Sequence, residues 1–531
     1  MILTLADLVI AQSKRQPEAP ALIEAASGRT LSYRALAEQI EAAAAIWANE
    51  LTIGERLLLW LDKRLEGVLA LLAANRCGAL FTVANPALKT EQVAYLVRDA
   101  LPCRILTSAQ RAALLTAALE TSWQPLPIPK PLALANANHL DPLVLLAPAQ
   151  PTISSSSPSR FTENDPAALF YTSGSTGLPK GVVVSHRNLV AGAEAVAHYL
   201  GLTAEDRLAA LLPLSFDAGF SQLTTAWVVG ASVVLHDYLL PRDALKVLTD
   251  WQITAVTAVP PLWRQLLNLT WPQEIAATLR LGASTGGKMP PAWVRQWQER
   301  VPHGRFFVMY GLTEAFRATY LPPEAWAERP ESVGIPIPNN EILILREDGS
   351  RCVPGEIGEI VQRGPLVALG YWNDPVRTAE RFRPLPAHHR PGGASLPRPE
   401  IAVFSGDYGY MDEAGFLYFV GRRDAQIKTS GYRVSPEEVE GVVLRLPGVI
   451  ECCVCGVDDP ELGQRVALWA VVPPSGPDAK TIVAHCRQHL ATYQIPTRVR
   501  ITETLLPRNA NGKIDRQAVA QMLTAEAESP Q

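Results

Sequence analysis

Tyr171-Thr172-Ser173-Gly174-Ser175-Thr176-Gly177-Leu178-Pro179-Lys180-Gly181 is dense in glycine and hydroxyl side chains. Before it, Ala167-Ala168-Leu169-Phe170-Tyr171 is a short apolar segment ending in aromatics. After it, Gly181-Val182-Val183-Val184-Ser185 is β-branched. Both flanks read as strands, which makes the run between them a loop. Gly174 and Gly177 permit positive φ and a close approach of backbone N–H groups. Thr172, Ser173, Ser175 and Thr176 supply hydroxyl donors and Lys180 a point charge, the components of an anion-binding nest suited to phosphate. The common nucleotide loop G-x-x-x-x-G-K-[ST] would need a glycine at 179, where Pro179 stands, and a helix immediately after it. Taken alone, the run also admits a flexible Gly/Ser linker.

The spacing from Ser173 to Gly181 resembles the signature of the AMP-forming acyl-adenylate ligases, the superfamily of acyl-CoA synthetases, peptide-synthetase adenylation domains and luciferases. Further motifs recur in that superfamily's order. Tyr310-Gly311-Leu312-Thr313-Glu314 follows the strand-like Arg305 to Met309, and Ser405-Gly406-Asp407 precedes Gly421-Arg422-Arg423-Asp424. Asp424 to Val434 leads into Ser435-Pro436-Glu437-Glu438, which reads as an N-cap, a proline at the first helical position and capping-box spacing. Pro507-Arg508-Asn509-Ala510-Asn511-Gly512-Lys513-Ile514-Asp515-Arg516 sets one lysine in a turn-rich loop.

The resemblance implies that Thr172, Ser173, Gly174, Ser175, Thr176, Gly177 and Lys180 bind ATP, that Tyr310 stacks on adenine beside Gly311, and that Thr313 bonds phosphate. Glu314 would help hold Mg²⁺, a hard cation that takes oxygen ligands. Asp407 would bond both ribose hydroxyls, and Arg422 would reach the ribose and phosphate. Lys513 is implied as the catalytic lysine bridging the substrate carboxylate and α-phosphate, with Thr172 and Glu314 also catalytic. The implied fold is α/β: a large multi-subdomain N-terminal body, 1–423, of parallel-rich sheets flanked by helices, and a small mobile α/β lid, 424–531, hinged at Asp424. The implied reaction is attack of a carboxylate on ATP, giving an acyl-adenylate and pyrophosphate, then displacement of AMP by a thiol.

Pro213-Leu214-Ser215-Phe216-Asp217-Ala218-Gly219 bears on the acid. In amino-acid-activating members the matching aspartate pairs with the substrate ammonium; a helix-capping aspartate is the structural alternative. The remaining pocket positions carried over are Ala218, Ser221, Ala258, Ala283, Thr285, Met309, Arg317 and Ala318, mostly small and apolar. The chain is similar to stand-alone prolyl adenylating enzymes that load a carrier protein, as in nonribosomal peptide synthesis. Arg317 departs from an apolar lining: it would point away, or bind a substrate carboxylate or the phosphopantetheine phosphate. The first expectation is therefore activation of a small amino acid, preferentially L-proline, with transfer to the phosphopantetheine of a discrete carrier protein, because few residues follow Lys513. The alternative is an acyl-CoA ligase for a fatty or other small acid.

The chain has 531 residues, 48% hydrophobic and 19% charged, with formal net charge −4, which argues against disorder and a nucleic-acid surface. No basic segment precedes an apolar stretch at the N-terminus, and no apolar run approaches the ~20 residues of a spanning helix. Together with seven cysteines, this predicts a soluble, cytoplasmic protein. Cys452 and Cys455 form C-x-x-C, but Glu451 to Val457 reads as a strand. Helix and strand patterns alternate from Tyr33–Ala48 through Arg56–Trp60, Glu66–Asn75 and Ala79–Val83, as parallel sheets require. Ser154 to Ser157 read as a linker, and the five-proline stretch Arg383 to Glu400 as an exposed excursion, with His388 and His389 at the surface.

Overall fold

A computed structural model describes residues 4–119, 122–134, 141–149, 161–172, 179–390, 397–422, 427–429, 432–459, 463–490, 492–509 and 512–525. The chain divides into two compact units, Met1–Ile342 with Gln362–Phe404, and Leu343–Val361 with Ser405–Gln531.

The first unit holds two large sheets. In the first sheet the strands Arg305–Tyr310, Leu281–Ser284, Ala255–Ala258, Arg207–Ala210, Ser232–Leu235 and Pro20–Glu24 lie side by side and parallel. Antiparallel strands close both edges, Thr319–Leu321 and Ile335–Pro336 on one side and Thr30–Ser32 on the other. In the second sheet, Pro166–Thr172, Leu80–Val83, Arg56–Trp60 and Arg104–Ser108 are parallel. The strands on either side of the expected phosphate loop, Pro166–Thr172 and Lys180–Ser185, pair antiparallel with Thr172 opposite Lys180. The helices Tyr33–Trp47 and Leu65–Arg76 fall where the alternation places them. The expected α/β architecture is thus observed, with antiparallel edges that local patterns do not announce.

An aromatic cluster fixes the helix that begins at Asp217. Phe220 on the helix Asp217–Val229 packs on Phe81 and Phe170 of the second sheet, with ring centroids 4.9 and 5.9 Å away, and all three are buried. Gly219 lets the helix start close to the preceding turn, since a Cβ there would stand 1.9 Å from the Pro213 carbonyl oxygen. Losing a buried phenylalanine from such a cluster costs about 3–5 kcal/mol.

His186 ties the N-terminal helix Leu5–Arg15 to the body: its buried ring stacks on Phe161, and its Nδ1 accepts the Leu5 backbone N–H at 3.3 Å. Burial pushes this imidazole down from 6.5 to about 4. The unfolded chain therefore binds a proton that the folded one refuses as pH falls between these values. Its contribution to stability is whole above pH 6.5 and drains away toward pH 4, amounting to about 3 kcal/mol. Urea unfolding at pH 7, 5 and 4 should show this loss in the native sequence and not in His186→Gln, which keeps an acceptor for Leu5; equal pH dependence would refute it.

The stretch after Arg383 bears out the expectation of an exposed excursion in part: Pro384, Pro386, His388 and Pro397 to Pro399 are exposed, whereas Leu385, His389 and Arg390 are not. Phe382–Pro384 pairs with residues 401–403, and the Leu385 N–H donates to the Glu400 carbonyl at 2.8 Å. This tethering carries Leu385, His389 and Arg390 into the interior; His389 is fully buried rather than at the surface. The serine-rich stretch expected as a linker lies outside the described residues.

In the second unit, residues 405–411 of the strand Ile401–Met411 form a hairpin with Leu417–Arg422, Asp407 opposite Arg422. Ser405 Oγ donates to the Ile360 carbonyl at 2.6 Å, and Glu359 accepts the Gly406 N–H at 3.0 Å. These bonds join the hairpin to Leu343–Val361, and Ser435 Oγ donating to the Val420 carbonyl at 2.6 Å joins it to the C-terminal residues, so contacts draw the division elsewhere than 423/424. Asp424 lies outside the described residues, and its role as hinge remains our proposal. The unit's other sheet pairs Glu451–Asp459 with Gly463–Val471 antiparallel and Gly463–Val471 with Arg498–Thr502 parallel. Cys452 packs in the cluster with Val439 and Ile482, and Cys453 and Cys455 in the cluster with Val519 and Leu523. Strand alternation thus puts the two ends of the C-x-x-C on opposite faces. Ser435 caps the helix Pro436–Val443 by accepting from the Glu438 N–H, as its spacing predicts.

Candidate active site

Within the first unit, the C-terminal ends of neighbouring parallel strands bring the expected substrate positions to one edge of the sheet. Ala258 ends one strand, Ala283 lies near the end of the next, with Thr285 just beyond it, and Met309 and Tyr310 end the third. The adjacent strand Arg207–Ala210 leads into the turn before Asp217 and Ala218. The carboxyl ends of strands in an open α/β sheet are the usual place for a ligand. Ala218, Ser221, Ala258, Ala283, Thr285, Met309 and Ala318 are all buried. Main-chain bonds set their backbones: Thr285 N–H donates to Ala258 at 3.2 Å and Ala318 N–H to Tyr310 at 2.9 Å. Gly311 permits this return of the chain, because a Cβ there would stand 2.4 Å from the Phe316 carbonyl oxygen.

Asp217 and Arg317 are both buried and face each other, Arg317 Nη1 lying 3.4 Å from Asp217 Oδ2. The Thr313 hydroxyl donates to the other carboxylate oxygen at 3.2 Å. The sequence leaves Arg317 pointing away or binding a substrate carboxylate or the phosphopantetheine phosphate; in the structure its guanidinium faces Asp217, a partner the sequence does not name. Gln362, which the motifs did not indicate, holds this loop by donating to the Ala315 and Arg317 carbonyls at 2.9 Å each. Tyr199 adds a further polar group by donating to Met309 Sδ at 2.8 Å. Burial pushes its phenol pKa up, with Arg317 opposing.

Glu314 and Lys180, both expected on the phosphate side, meet around Tyr371. Its hydroxyl donates to Glu314 Oε1 at 2.6 Å, and Lys180 Nζ lies 5.4 Å from its ring centroid. Burial and then the Glu314 charge push the Tyr371 phenol pKa up. Burial first, with Arg377 and Arg381, pushes the Lys180 ammonium down. Tyr371 was invisible to motif reading; its only local signal is an edge strand, Gly370–Tyr371, beside Lys180–Ser185. Glu314 offers one hard carboxylate, and no cluster of three or more His, Cys, Asp or Glu exists among the described residues. That donor set fits Mg²⁺ held by one carboxylate and completed by phosphate oxygens.

Ser173, Gly174, Ser175, Thr176 and Gly177 lie outside the described residues, whereas Thr172 and Lys180 frame that gap on paired strands. The second unit carries Asp407, which is 8% exposed, the backbone of Arg422, and Lys513. Lys513 lies in a hairpin where its N–H reaches Asn509 Oδ1 at 3.1 Å and its carbonyl accepts the Asn509 N–H at 2.8 Å.

The AMP-binding enzyme family matches residues 9–372, and the AMP-binding enzyme C-terminal domain matches residues 438–513. The chain belongs to the AMP-binding enzyme family. It is 30% identical over 546 residues to the delta-poly-L-ornithine synthetase of Acinetobacter baumannii, a match covering 99% of this chain and 38% of that protein. It is 29% identical to the L-proline–[L-prolyl-carrier protein] ligase of Pseudomonas fluorescens, covering 93% of this chain and 94% of the relative. The solved o-succinylbenzoate coenzyme A synthetase of Bacillus subtilis, in complex with ATP and magnesium ion, aligns with a TM-score of 0.78 at 28% identity, covering 96% and 98% of the two chains. Members of this AMP-binding enzyme family join acids to thiols, and the chain is an AMP-forming ligase of that kind whose cofactors are ATP and Mg²⁺. Mg²⁺ held at Glu314 would neutralise charge as pyrophosphate leaves. Among the described residues no helix is long and apolar enough to cross a membrane.

Proposed function

We propose that this AMP-binding enzyme activates a small amino acid, L-proline first among candidates, as its aminoacyl-AMP and passes it to the phosphopantetheine thiol of a separate carrier protein. The observation that carries this reading is Asp217. Its carboxylate is buried at the start of a helix; Oδ1 accepts from the Thr313 hydroxyl and Oδ2 from Arg317. A carboxylate has about four lone-pair sites, so capacity remains for an ammonium donor. A zwitterion also suits a buried ion pair, since it brings one charge of each sign. The small buried residues Ala218, Ala258 and Ala283 support a compact side chain, and likeness to the prolyl-carrier ligase supports the choice of proline. On this reading Lys513, Thr172 and Glu314 carry the chemistry, with Tyr310, Gly311, Thr313, Asp407, Arg422 and Lys180 holding the nucleotide. Positioning and charge stabilisation then account for most of the rate.

One observation favours the second reading, a CoA ligase for an amine-free acid: Arg317 already neutralises Asp217, so the pocket needs no cationic substrate. ATP–pyrophosphate exchange against a panel of amino acids, fatty acids and aromatic acids separates the two. L-Proline should exchange at least about tenfold faster than any amine-free acid, a difference of about 1.4 kcal/mol. Exchange confined to amine-free acids would make Asp217 structural.

A further inference from the structure

The Lys513 hairpin is fastened to its own unit at both ends by half-buried ion pairs. On the incoming side, Glu451 accepts the Leu506 N–H at 2.8 Å and forms an ion pair with Arg508. The same guanidinium reaches forward to the Gly512 carbonyl at 2.9 Å. On the outgoing side, Arg516 donates to both Glu440 oxygens, at 2.6 and 3.2 Å, to Glu437 at 3.1 Å, and to the Val454 carbonyl. Glu440 in turn accepts the Val454 N–H at 2.7 Å. Glu451 and Val454 belong to one strand, Glu451–Asp459, so both fasteners grip the same rigid element. Between them Arg508 and Ile514 form an antiparallel bridge, and the Asp515 N–H donates to the Pro507 carbonyl at 2.8 Å.

Half-buried ion pairs contribute little net stability, since solvent screening and desolvation offset most of their attraction. Two of them beneath one short hairpin make better sense as devices of orientation. We propose that Arg508 and Arg516 are positioning residues for Lys513: paired with Glu451 and Glu440, they hold the backbone of its hairpin in one geometry, so that the ammonium arrives preorganised for adenylation. This rests on the reading of Lys513 as the catalytic lysine. A fixed donor acts without reorganisation at the moment of reaction, and a displacement of ~1 Å at such a group can cost ~100-fold in rate.

The test uses the full chain carrying Arg508→Ala, Arg508→Lys, or Arg516→Met combined with Glu440→Gln. The double change keeps an acceptor for Val454 and removes both charges of the Arg516–Glu440 pair together, leaving Glu437, which is half-buried, free to turn to solvent. Exchange is measured with L-proline, or with whichever panel acid exchanges fastest, and transfer is measured from pre-made acyl-adenylate to pantetheine. The kcat for exchange should fall about 10- to 100-fold, with KM for ATP and acid within about threefold, transfer within about twofold, and partial recovery in Arg508→Lys. Wild-type kcat in folded variants, or equal loss in both half-reactions, would overturn the proposal. If the Arg516 double variant fails to fold, Arg508→Ala decides alone. Lys513→Ala is run alongside: if it keeps full exchange, the reading of Lys513 itself falls, whereas loss there with unaffected arginine variants removes only the positioning role.

Discussion

On the proposed reading of Lys513 as the catalytic lysine, Lys513→Ala should lower adenylate formation by at least about a hundredfold, while thioester formation from pre-made acyl-adenylate should stay within about threefold of the native rate. The asymmetry follows from where charge develops. In the first half-reaction two anions, the carboxylate and the α-phosphate, are brought together, and a fixed ammonium between them offsets their repulsion. In the second, AMP departs with charge already on its phosphate, so the same cation gains less. Lys513→Arg should not restore the first step, because a planar fork cannot take the place of a compact ammonium in a preorganised site. The substitution lies in a half-exposed loop, so thermal unfolding should move little and the rate loss be free of misfolding. Pyrophosphate exchange and single-turnover transfer decide the matter. Equal losses in both steps would remove Lys513 from the role assigned to it.

The parts of the fold legible in sequence were those with local signatures. Apolar and β-branched runs on each side of the glycine-rich loop emerged as the paired strands Pro166–Thr172 and Lys180–Ser185, and the Ser435-Pro436 start emerged as a capped helix. What could not be read is pairing across long stretches of chain. Tyr371 meets Glu314 across a sequence separation of 57, and Arg317 meets Asp217 across one of 100; neither tyrosine nor arginine carries a local mark of its partner. His389 shows the converse failure. Flanking prolines correctly signalled irregular backbone, yet irregular backbone can be drawn inward by a few sheet bonds, here Phe382–Pro384 against residues 401–403. Composition predicts conformation better than depth.

The Asp217–Arg317 pair also dictates how the substrate question has to be asked. Asp217→Ala would leave Arg317 buried without its counterion, a change that costs about 3–5 kcal/mol in comparable cases and would confuse lost binding with lost folding. Asp217→Asn with Arg317→Met removes both charges and keeps an oxygen for the Thr313 hydroxyl. Folding stability should then remain within about 1–2 kcal/mol of the native protein. If the carboxylate anchors the substrate ammonium, amino-acid-dependent exchange falls at least about a hundredfold, since a buried ammonium would be left without its charged acceptor. An amine-free acid loses nothing by the same exchange of residues and should keep its rate within about threefold. Arg317→Met alone completes the comparison. On the amino-acid reading it frees Asp217 for the ammonium and lowers KM for the amino acid; if Arg317 instead receives a second anionic group on the substrate, KM for that acid rises about tenfold or more. A fall in KM for L-proline in the single variant, together with loss of exchange in the double, would identify Asp217 as the ammonium anchor and Arg317 as the counterion it exchanges for substrate.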